Sequence, residues 1–395
     1  MRVSVDGTHY VPGPGGGLVT IFNNLIRHLA LLPDTETALL LREGVPAEHT
    51  LGLPEGAALP AGLTVVRVRA PRGALGRARN ILARCALPSL AAVTHAARES
   101  RPDVIYVPLH TFDSAQHQAP TVFTIHDLQH EFLPGYFSRK ERMRRSTYFR
   151  LMQRHGAAVV VPSEFVKGTL VERMGFAPER VRVVPWGLGP GYARVADEAR
   201  LAEARVRYRL PERFVYFPAK PWPHKNHELL LKLLARPGCR ECELVLSGFA
   251  PEAEGAELLR RAEELGVRGR VYCLGHLDYG DLPLIYSLAT LVANPSRFEG
   301  FGLPVLEAMA CGCPVLCSDA TSLPEVAGDA ACLAPADDLQ AWEEALSRLW
   351  SDEGERERLA AAGVTRAAGF TWSGAAGRLR QVLCDAADMA SGREC

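Results

Sequence analysis

At 395 residues the chain exceeds one ordinary hydrophobic core, so two domains of rather under 200 residues each are expected. Apolar residues make up 47% and charged residues 23%, the balance of a soluble globular protein, and no apolar run approaches the roughly 18 residues that span a bilayer. The net charge of zero hides an asymmetry: 22 Lys/Arg stand against 15 Asp/Glu through Gly187, and 23 against 30 after it.

The chain opens on Met1-Arg2-Val3-Ser4-Val5-Asp6, which lacks the apolar stretch of a signal peptide, so a cytoplasmic protein is expected. Val3 to Asp6 alternates like a short strand. The loop Pro12-Gly13-Pro14-Gly15-Gly16-Gly17 follows, and then Leu18, Ile21, Phe22, Leu25, Ile26 and Leu29 recur at helical spacing up to Leu32. Thr64 to Val68, Val104 to Val107, Val122 to Ile125, Ala158 to Val161 and Val181 to Val184 read as buried strands with helical stretches between most of them. That alternation predicts a parallel sheet covered on both faces.

Around Trp186-Gly187-Leu188-Gly189-Pro190-Gly191 turn residues cluster, and a polar helical segment runs from Asp197 to Arg209, which marks a linker between domains. The second half repeats the plan. Strands are expected at Phe214–Phe217, Leu244–Ser247, Val271–Leu274, Leu291–Ala293 and Val315–Cys317. Helices are expected at His227–Ala235, Ala253–Leu265, Leu282–Ala289, Pro304–Cys311 and Leu339–Trp350. The division is therefore 1–190 and 191–370, with a tail from 371 to 395. Two open α/β sheets in tandem place a ligand at the carboxyl ends of their strands, in a cleft between the domains.

Two stretches carry the basic excess. One holds Arg72, Arg77, Arg79 and Arg84, the other Arg139, Lys140, Arg142, Arg144, Arg145, Arg150 and Arg154. Either a solvated helix face or a surface for an anionic acceptor or membrane accounts for them, and they lack a nucleic-acid-binding module. Of ten cysteines, Cys85, Cys273, Cys332 and Cys384 sit in apolar stretches. Cys239-x-x-Cys242 and Cys311-x-Cys313 are the only close pairs, short of what a zinc site needs, so free thiols and no metal are expected.

The chemistry concentrates in Asn294-Pro295-Ser296-Arg297-Phe298-Glu299-Gly300-Phe301-Gly302-Leu303-Pro304-Val305-Leu306-Glu307. A strand ends, a glycine-containing loop follows, and a helix begins near Leu303 with Pro304 in its first turn, where a missing N–H costs nothing. The N–H groups of a helix start favour an anion such as a diphosphate, and Gly300 and Gly302 permit close backbone approach. Glu299 precedes the helix and Glu307 lies about one turn inside it. Carboxylates accept hydrogen bonds from hydroxyls, so the pair suits sugars. Two solvated glutamates on an ordinary strand-turn-helix would read the same way at this point.

Glu299-x7-Glu307 enclosing Gly-Phe-Gly-Leu-Pro resembles the donor-site signature of family 4 retaining glycosyltransferases, as do Ala308-Met309-Ala310-Cys311-Gly312-Cys313-Pro314-Val315 and Leu323-Pro324-Glu325-Val326. The resemblance covers nearly the whole chain and is strongest from Phe214 to Pro335. It implies the GT-B fold, two Rossmann-like domains facing across a cleft, with a helix in the tail after Phe370 packing back on the first domain. It further implies transfer of a sugar from a nucleotide diphosphate donor to a glycan or lipid-linked glycan without a metal or other cofactor, mannose being the first candidate sugar. Lys225 matches the family's diphosphate lysine, and Lys220 stands where arginine is commoner, a point charge replacing a planar fork. His126, in Ile125-His126-Asp127, resembles the strand-end histidine near the donor sugar, and Gly16 lies in the counterpart of the loop that closes over the reacting centre. Gly300, Phe301, Gly302, Leu303 and Glu307 complete the implied donor site, with Glu299 beside the reacting carbon. A phosphorylase, a nucleotide-sugar epimerase and a nonenzymatic sugar-nucleotide module are the alternatives.

Overall fold

The structure is a computed structural model that describes residues 1–10, 17–54, 56–69, 92–109, 119–189 and 191–391. The chain divides into two compact units, one of residues 1–187 with 371–395, the other of residues 188–370.

The first unit holds β1 (Arg2–Asp6), α1 (Gly17–Ala30), β2 (Glu36–Arg42), α2 (Ala47–Thr50), β3 (Leu63–Val68), α3 (Ala92–Glu99), β4 (Val104–Val107), β5 (Thr121–Thr124), α4 (Gln129–Phe132), α5 (Arg139–His155), β6 (Ala158–Val161), α6 (Glu164–Met174) and β7 (Val181–Val183). Its strands form one parallel sheet in the order β3-β2-β1-β4-β5-β6-β7. β4, β5 and β6 are buried along their whole length, because helices cover both faces. Phe123, Ile105, Phe149, Met152 and Leu170 lie in its core. Sequence periodicity omits β2: its run Ala38-Leu39-Leu40-Leu41 lacks β-branched residues, and a short leucine run alone does not separate strand from buried helix.

The second unit comprises α7 (Glu198–Arg207), β8 (Val215–Pro218), α8 (His227–Leu234), β9 (Leu244–Ser247), α9 (Ala256–Glu264), β10 (Val271–Cys273), α10 (Leu282–Leu288), β11 (Leu291–Asn294), α11 (Leu303–Ala310), β12 (Val315–Ser318), α12 (Leu323–Ala327), β13 (Cys332–Ala334), α13 (Leu339–Ser351) and α14 (Glu353–Ala367). Its parallel sheet runs β10-β9-β8-β11-β12-β13. The core joins Phe217, Leu231, Leu246, Phe249 and Trp342. Asp197 caps α7 through the Arg200 amide. The three-residue edge strand β13 and the helices α12 and α14 are absent from the periodicity reading, the first two because they are too short to show a period.

The final helix, α15 (Trp372–Ser391), returns to the first unit. Its Ala376, Leu379 and Leu383 are fully buried, and Arg380 Nε donates to Thr35 Oγ1 at 3.1 Å. The chain leaves this unit at Gly187, three residues before the boundary expected from composition, where a Cβ would collide with the Thr371–Trp372 backbone. Among the described residues the cysteines are free thiols, no cluster of three or more metal-ligating side chains forms, and no helix is long and apolar enough to cross a membrane.

Candidate functional site

In the second unit the connections from β8 run to one side of the sheet, through β9 and β10, and those from β11 run to the other, through β12 and β13. The crevice of an open parallel sheet lies at such a reversal, at the carboxyl ends of the two central strands. The loops that leave β8 and β11 are therefore neighbours, although about 70 residues separate them in sequence.

The loop after β8 is tied down by hydrogen bonds. The Trp222 amide donates to the Lys220 carbonyl at 2.7 Å, and a 3-10 turn covers Pro223–Lys225. Asn226 adopts φ +57° and donates from Nδ2 to the Ala336 carbonyl at 2.8 Å. Arg297, from the loop after β11, donates its amide to the His224 carbonyl at 2.8 Å and its Nη1 to the Pro223 carbonyl at 3.1 Å, while its Nε pairs with Asp337 at 2.7 Å. This clamp brings Lys225 Nζ to 2.6 Å from Glu299 Oε1, with the two side chains only 15% and 11% exposed. A nearly dry ion pair thus joins two of the residues singled out in sequence.

The loop after β11 is shaped from the opposite side. The Glu299 amide donates to Thr321 Oγ1 at 3.0 Å, and the Ser322 hydroxyl lies 3.0 Å from both the Glu299 and Phe301 carbonyls. Phe301 is buried edge-on against Phe370 at 5.9 Å, so its ring anchors the loop and only its backbone remains for a ligand. Gly302 has φ +107°, and a Cβ there would stand 2.7 Å from Leu323 Cδ2, so both the backbone and the space require glycine. As N-cap of α11 it supplies no side-chain acceptor. The amide of Leu303, the first helical residue, has no intrahelical acceptor, and Pro304 has no N–H to satisfy.

Glu307, a turn into α11, is half-buried in an aromatic setting. Tyr286 of α10 donates its hydroxyl to Oε2 at 3.0 Å. The Tyr192 hydroxyl is buried and faces the same carboxyl without a well-formed hydrogen bond, and Tyr216 of β8 stacks edge-on against Tyr286 at 5.2 Å. Burial pushes the Glu307 carboxyl up to about 7, against the Tyr286 hydrogen bond and the nearby Tyr192 hydroxyl, which favour its anion.

Lys220 is held differently from Lys225. It pairs with Glu254 at 3.3 Å, both side chains about two-fifths exposed, and Glu254 also lies 3.9 Å from His276. His224 is buried beside Trp222 at 5.6 Å, while Trp222 itself is half-exposed. Gly300 lies between Glu299 and Phe301 on the shaped loop.

His126 belongs to the first unit, just past β5. Its ring is buried, 5.6 Å from Trp186, and Nε2 lies 2.7 Å from the Pro108 carbonyl. A carbonyl accepts only, so Nε2 carries the proton and Nδ1 is the acceptor of a neutral ring, whose pKa burial holds below the ordinary histidine value. Gly16 and the arginines at 72, 77, 79 and 84 lie outside the described residues. On α5, Arg144 and Arg145 bond Glu141, whereas Arg139, Lys140, Arg142, Arg150 and Arg154 are exposed around an exposed Met143.

Sequence reading did not single out Tyr192, Tyr286, Thr321, Ser322 or Arg297 as site residues. Ser322 immediately precedes the quoted Leu323-Pro324-Glu325-Val326, which is the one signal that could have drawn attention to it.

Residues 203–366 match the family described as glycosyl transferases group 1, and residues 15–190 match glycosyltransferase family 4. The O-antigen chain mannosyltransferase B of Escherichia coli is 30% identical over 258 residues, which span 64% of this chain and 66% of that protein. The serotype-specific mannosyltransferase WbdA of Escherichia coli is 31% identical over 224 residues, 55% of this chain but only 28% of that longer protein. Among solved structures, sucrose-phosphate synthase from Thermosynechococcus elongatus superposes with a TM-score of 0.75 at 21% identity, covering 99% of this chain and 100% of that one. Anabaena Alr3699/HepE in complex with UDP and glucose gives 0.72 at 20% identity, covering 98% and 100%.

Proposed function

The chain belongs to the glycosyltransferase group 1 and family 4 enzymes of GT-B fold, and from that premise we propose that it transfers a sugar, mannose first, from a nucleoside diphosphate donor to a glycan or lipid-linked glycan. The observation that carries this reading is the convergence of Lys225, Glu299 and the α11 start at the sheet reversal, with Glu307 one turn further in. The named relatives that are mannosyltransferases support mannose, and the UDP in the HepE structure keeps UDP-sugars beside GDP-mannose and dTDP-sugars as donors to test.

In this reading the donor diphosphate lies at the α11 start, where the N–H groups of Gly302 and Leu303 and the Lys225 ammonium oppose the charge that grows on it as the glycosidic bond breaks. Lys220, about two-fifths exposed, adds a solvent-screened charge. Glu307 accepts from the ribose hydroxyls, and Glu299 stabilises the cationic anomeric carbon. The transfer is a front-face displacement with retention. The bond from C1 to the phosphate oxygen breaks, the acceptor oxygen bonds C1 on the same face, and the acceptor proton passes to the departing phosphate. On the first unit, His126 is the residue proposed to help position the acceptor.

The cationic face of α5 suits an anionic lipid-linked acceptor at a membrane surface, since Met143 adds an apolar contact among five exposed cations. Cosedimentation with anionic but not zwitterionic vesicles tests that part. For the reaction itself, a thermal-shift panel of GDP-mannose, UDP-glucose and dTDP-sugars identifies the donor, because a ligand that binds only the folded protein raises its melting temperature. Product analysis with the stabilising donor then tests transfer, and retention is read from the anomeric configuration. A protein that no nucleotide sugar stabilises would sink the proposal, and one that binds a donor without turnover would favour the nonenzymatic module.

A further inference from the structure

We propose that Tyr286 and Tyr192 are positioning residues that aim the Glu307 carboxylate at the donor ribose and make nucleotide recognition depend on pH. The inference rests on the donor-site reading above and goes beyond it by assigning residues from outside the Glu299–Glu307 segment.

The geometry begins with α10. Its Tyr286 ring is fully buried, wedged 5.2 Å from Tyr216 and 6.2 Å from Tyr192, so the hydroxyl has little freedom. That hydroxyl donates to one Glu307 oxygen, Oε2, at 3.0 Å, which restricts rotation of the carboxyl about its terminal bond and leaves Oε1 to accept from a ligand. Tyr192 approaches from the segment that leads into α7. Its hydroxyl is buried beside the carboxyl and lacks a well-formed hydrogen bond, which leaves a donor for the same carboxylate or for a ribose oxygen.

Among the described residues, the titratable groups that act on Glu307 or its tyrosines come from every element around it. They are Tyr286 of α10, Tyr216 of β8, Tyr192, Cys311 at the end of α11, Tyr279 beyond Tyr192 and Tyr208 beyond Tyr216. None is a cation. The anion is therefore supported by the Tyr286 hydrogen bond and the adjacent Tyr192 hydroxyl against its desolvation, which pushes the carboxyl up to about 7, within the physiological range. A carboxylate accepts at both oxygens, and protonation turns one of them into a donor. Recognition of the ribose hydroxyls should accordingly weaken as pH falls through 7.

The test is calorimetric titration of the full chain with GDP and UDP, and with their 2′-deoxy analogues, at pH 6 and pH 8. The deoxy nucleotides cancel protonation of the phosphates and report the ribose contact alone. Wild-type protein is expected to prefer the ribonucleotide at pH 8 and to lose most of that preference at pH 6. Glu307→Gln should show little preference at either pH. Tyr286→Phe removes only the hydroxyl. It should weaken ribonucleotide binding roughly tenfold at pH 8, as loss of a hydrogen bond to a charged group does, with the deoxy analogue barely affected. It should also move the midpoint of the pH dependence upward, because the lost bond favoured the anion. Tyr192→Phe should act in the same direction and more weakly, and it decides the matter if Tyr286→Phe fails to melt cooperatively. The inference is overturned if Glu307→Gln erases the preference while both tyrosine variants behave as wild type at both pH values. If neither GDP nor UDP binds the wild-type protein, the donor-site reading itself falls.

Discussion

The Lys225–Glu299 pair invites a direct experiment. Both side chains are about nine-tenths withdrawn from water, and the nitrogen–oxygen separation is 2.6 Å. Lys225→Ala deletes one charge and leaves the Glu299 carboxylate in a setting that water reaches poorly. Breaking a fully buried pair costs ~3–5 kcal/mol. The residual exposure here lets Glu299 recover some hydration, so a loss of about 2 kcal/mol is expected. For a domain of 150–250 residues, each kcal/mol moves the melting temperature by roughly 2–4 °C, which gives a fall of about 4–8 °C in the transition of the second unit. The assay is thermal unfolding of wild type, Lys225→Ala, Glu299→Gln and the double variant. If the pair is real, the double variant is less destabilised than the sum of the singles, because the second change removes the stranded charge. In the same proteins Lys225→Ala should lower turnover about 10²–10³-fold, since the ammonium also opposes charge on the leaving diphosphate. Strictly additive melting shifts would refute the ion pair, and near wild-type turnover would refute the diphosphate role.

Three further outcomes follow from the same site. Gly302→Ala should weaken nucleotide binding and destabilise the protein by about 1–3 kcal/mol, since φ +107° and the 2.7 Å approach to Leu323 exclude a Cβ; an unchanged melting curve and binding isotherm would contradict it. Glu307→Gln should raise the melting temperature at pH 8 and leave it nearly unchanged at pH 4, below the carboxyl's ordinary value. The folded carboxyl titrates at about 7, above its ordinary value, so its burial penalty is absent at low pH, grows as pH rises through that interval and is complete above it. Solvent contact of the half-buried side chain limits the gain to about 1–2 kcal/mol, and a larger gain at pH 4 than at pH 8 would reverse the sign of the argument. Transfer should continue in excess EDTA, because Lys225 and the α11 start supply the positive charge at the leaving group; complete loss restored by Mg²⁺ or Mn²⁺ would overturn that.

The alternation of strands and helices, the turn cluster near Gly187 and the strand-loop-helix between Asn294 and Glu307 are legible from residue order alone. Those features are local: a period of apolar residues, a turn cluster, a glycine where a helix begins. The identity of the ion pair is not local. Lys225 and Glu299 are distant in sequence, and nothing in either segment names its partner. Their meeting depends on the order of the strands, which sets β8 beside β11 and reverses the connections there. The aromatic setting of Glu307 is non-local for the same reason. Tyr286 reads in sequence as one more apolar position of α10, and Tyr192 as part of a linker. Only packing of α10 and that linker against α11 makes Tyr286 a hydrogen-bonding partner of the carboxyl and brings the Tyr192 hydroxyl beside it. His126 shows the complementary limit, since the sequence places it past a strand but its tautomer follows from the Pro108 carbonyl that β4 carries to it. Sequence pattern thus determined which residues could do chemistry and on which elements they ride. Tertiary structure decided which of them touch, how dry they are and which proton each one holds, because those properties depend on neighbours that the chain supplies from elsewhere.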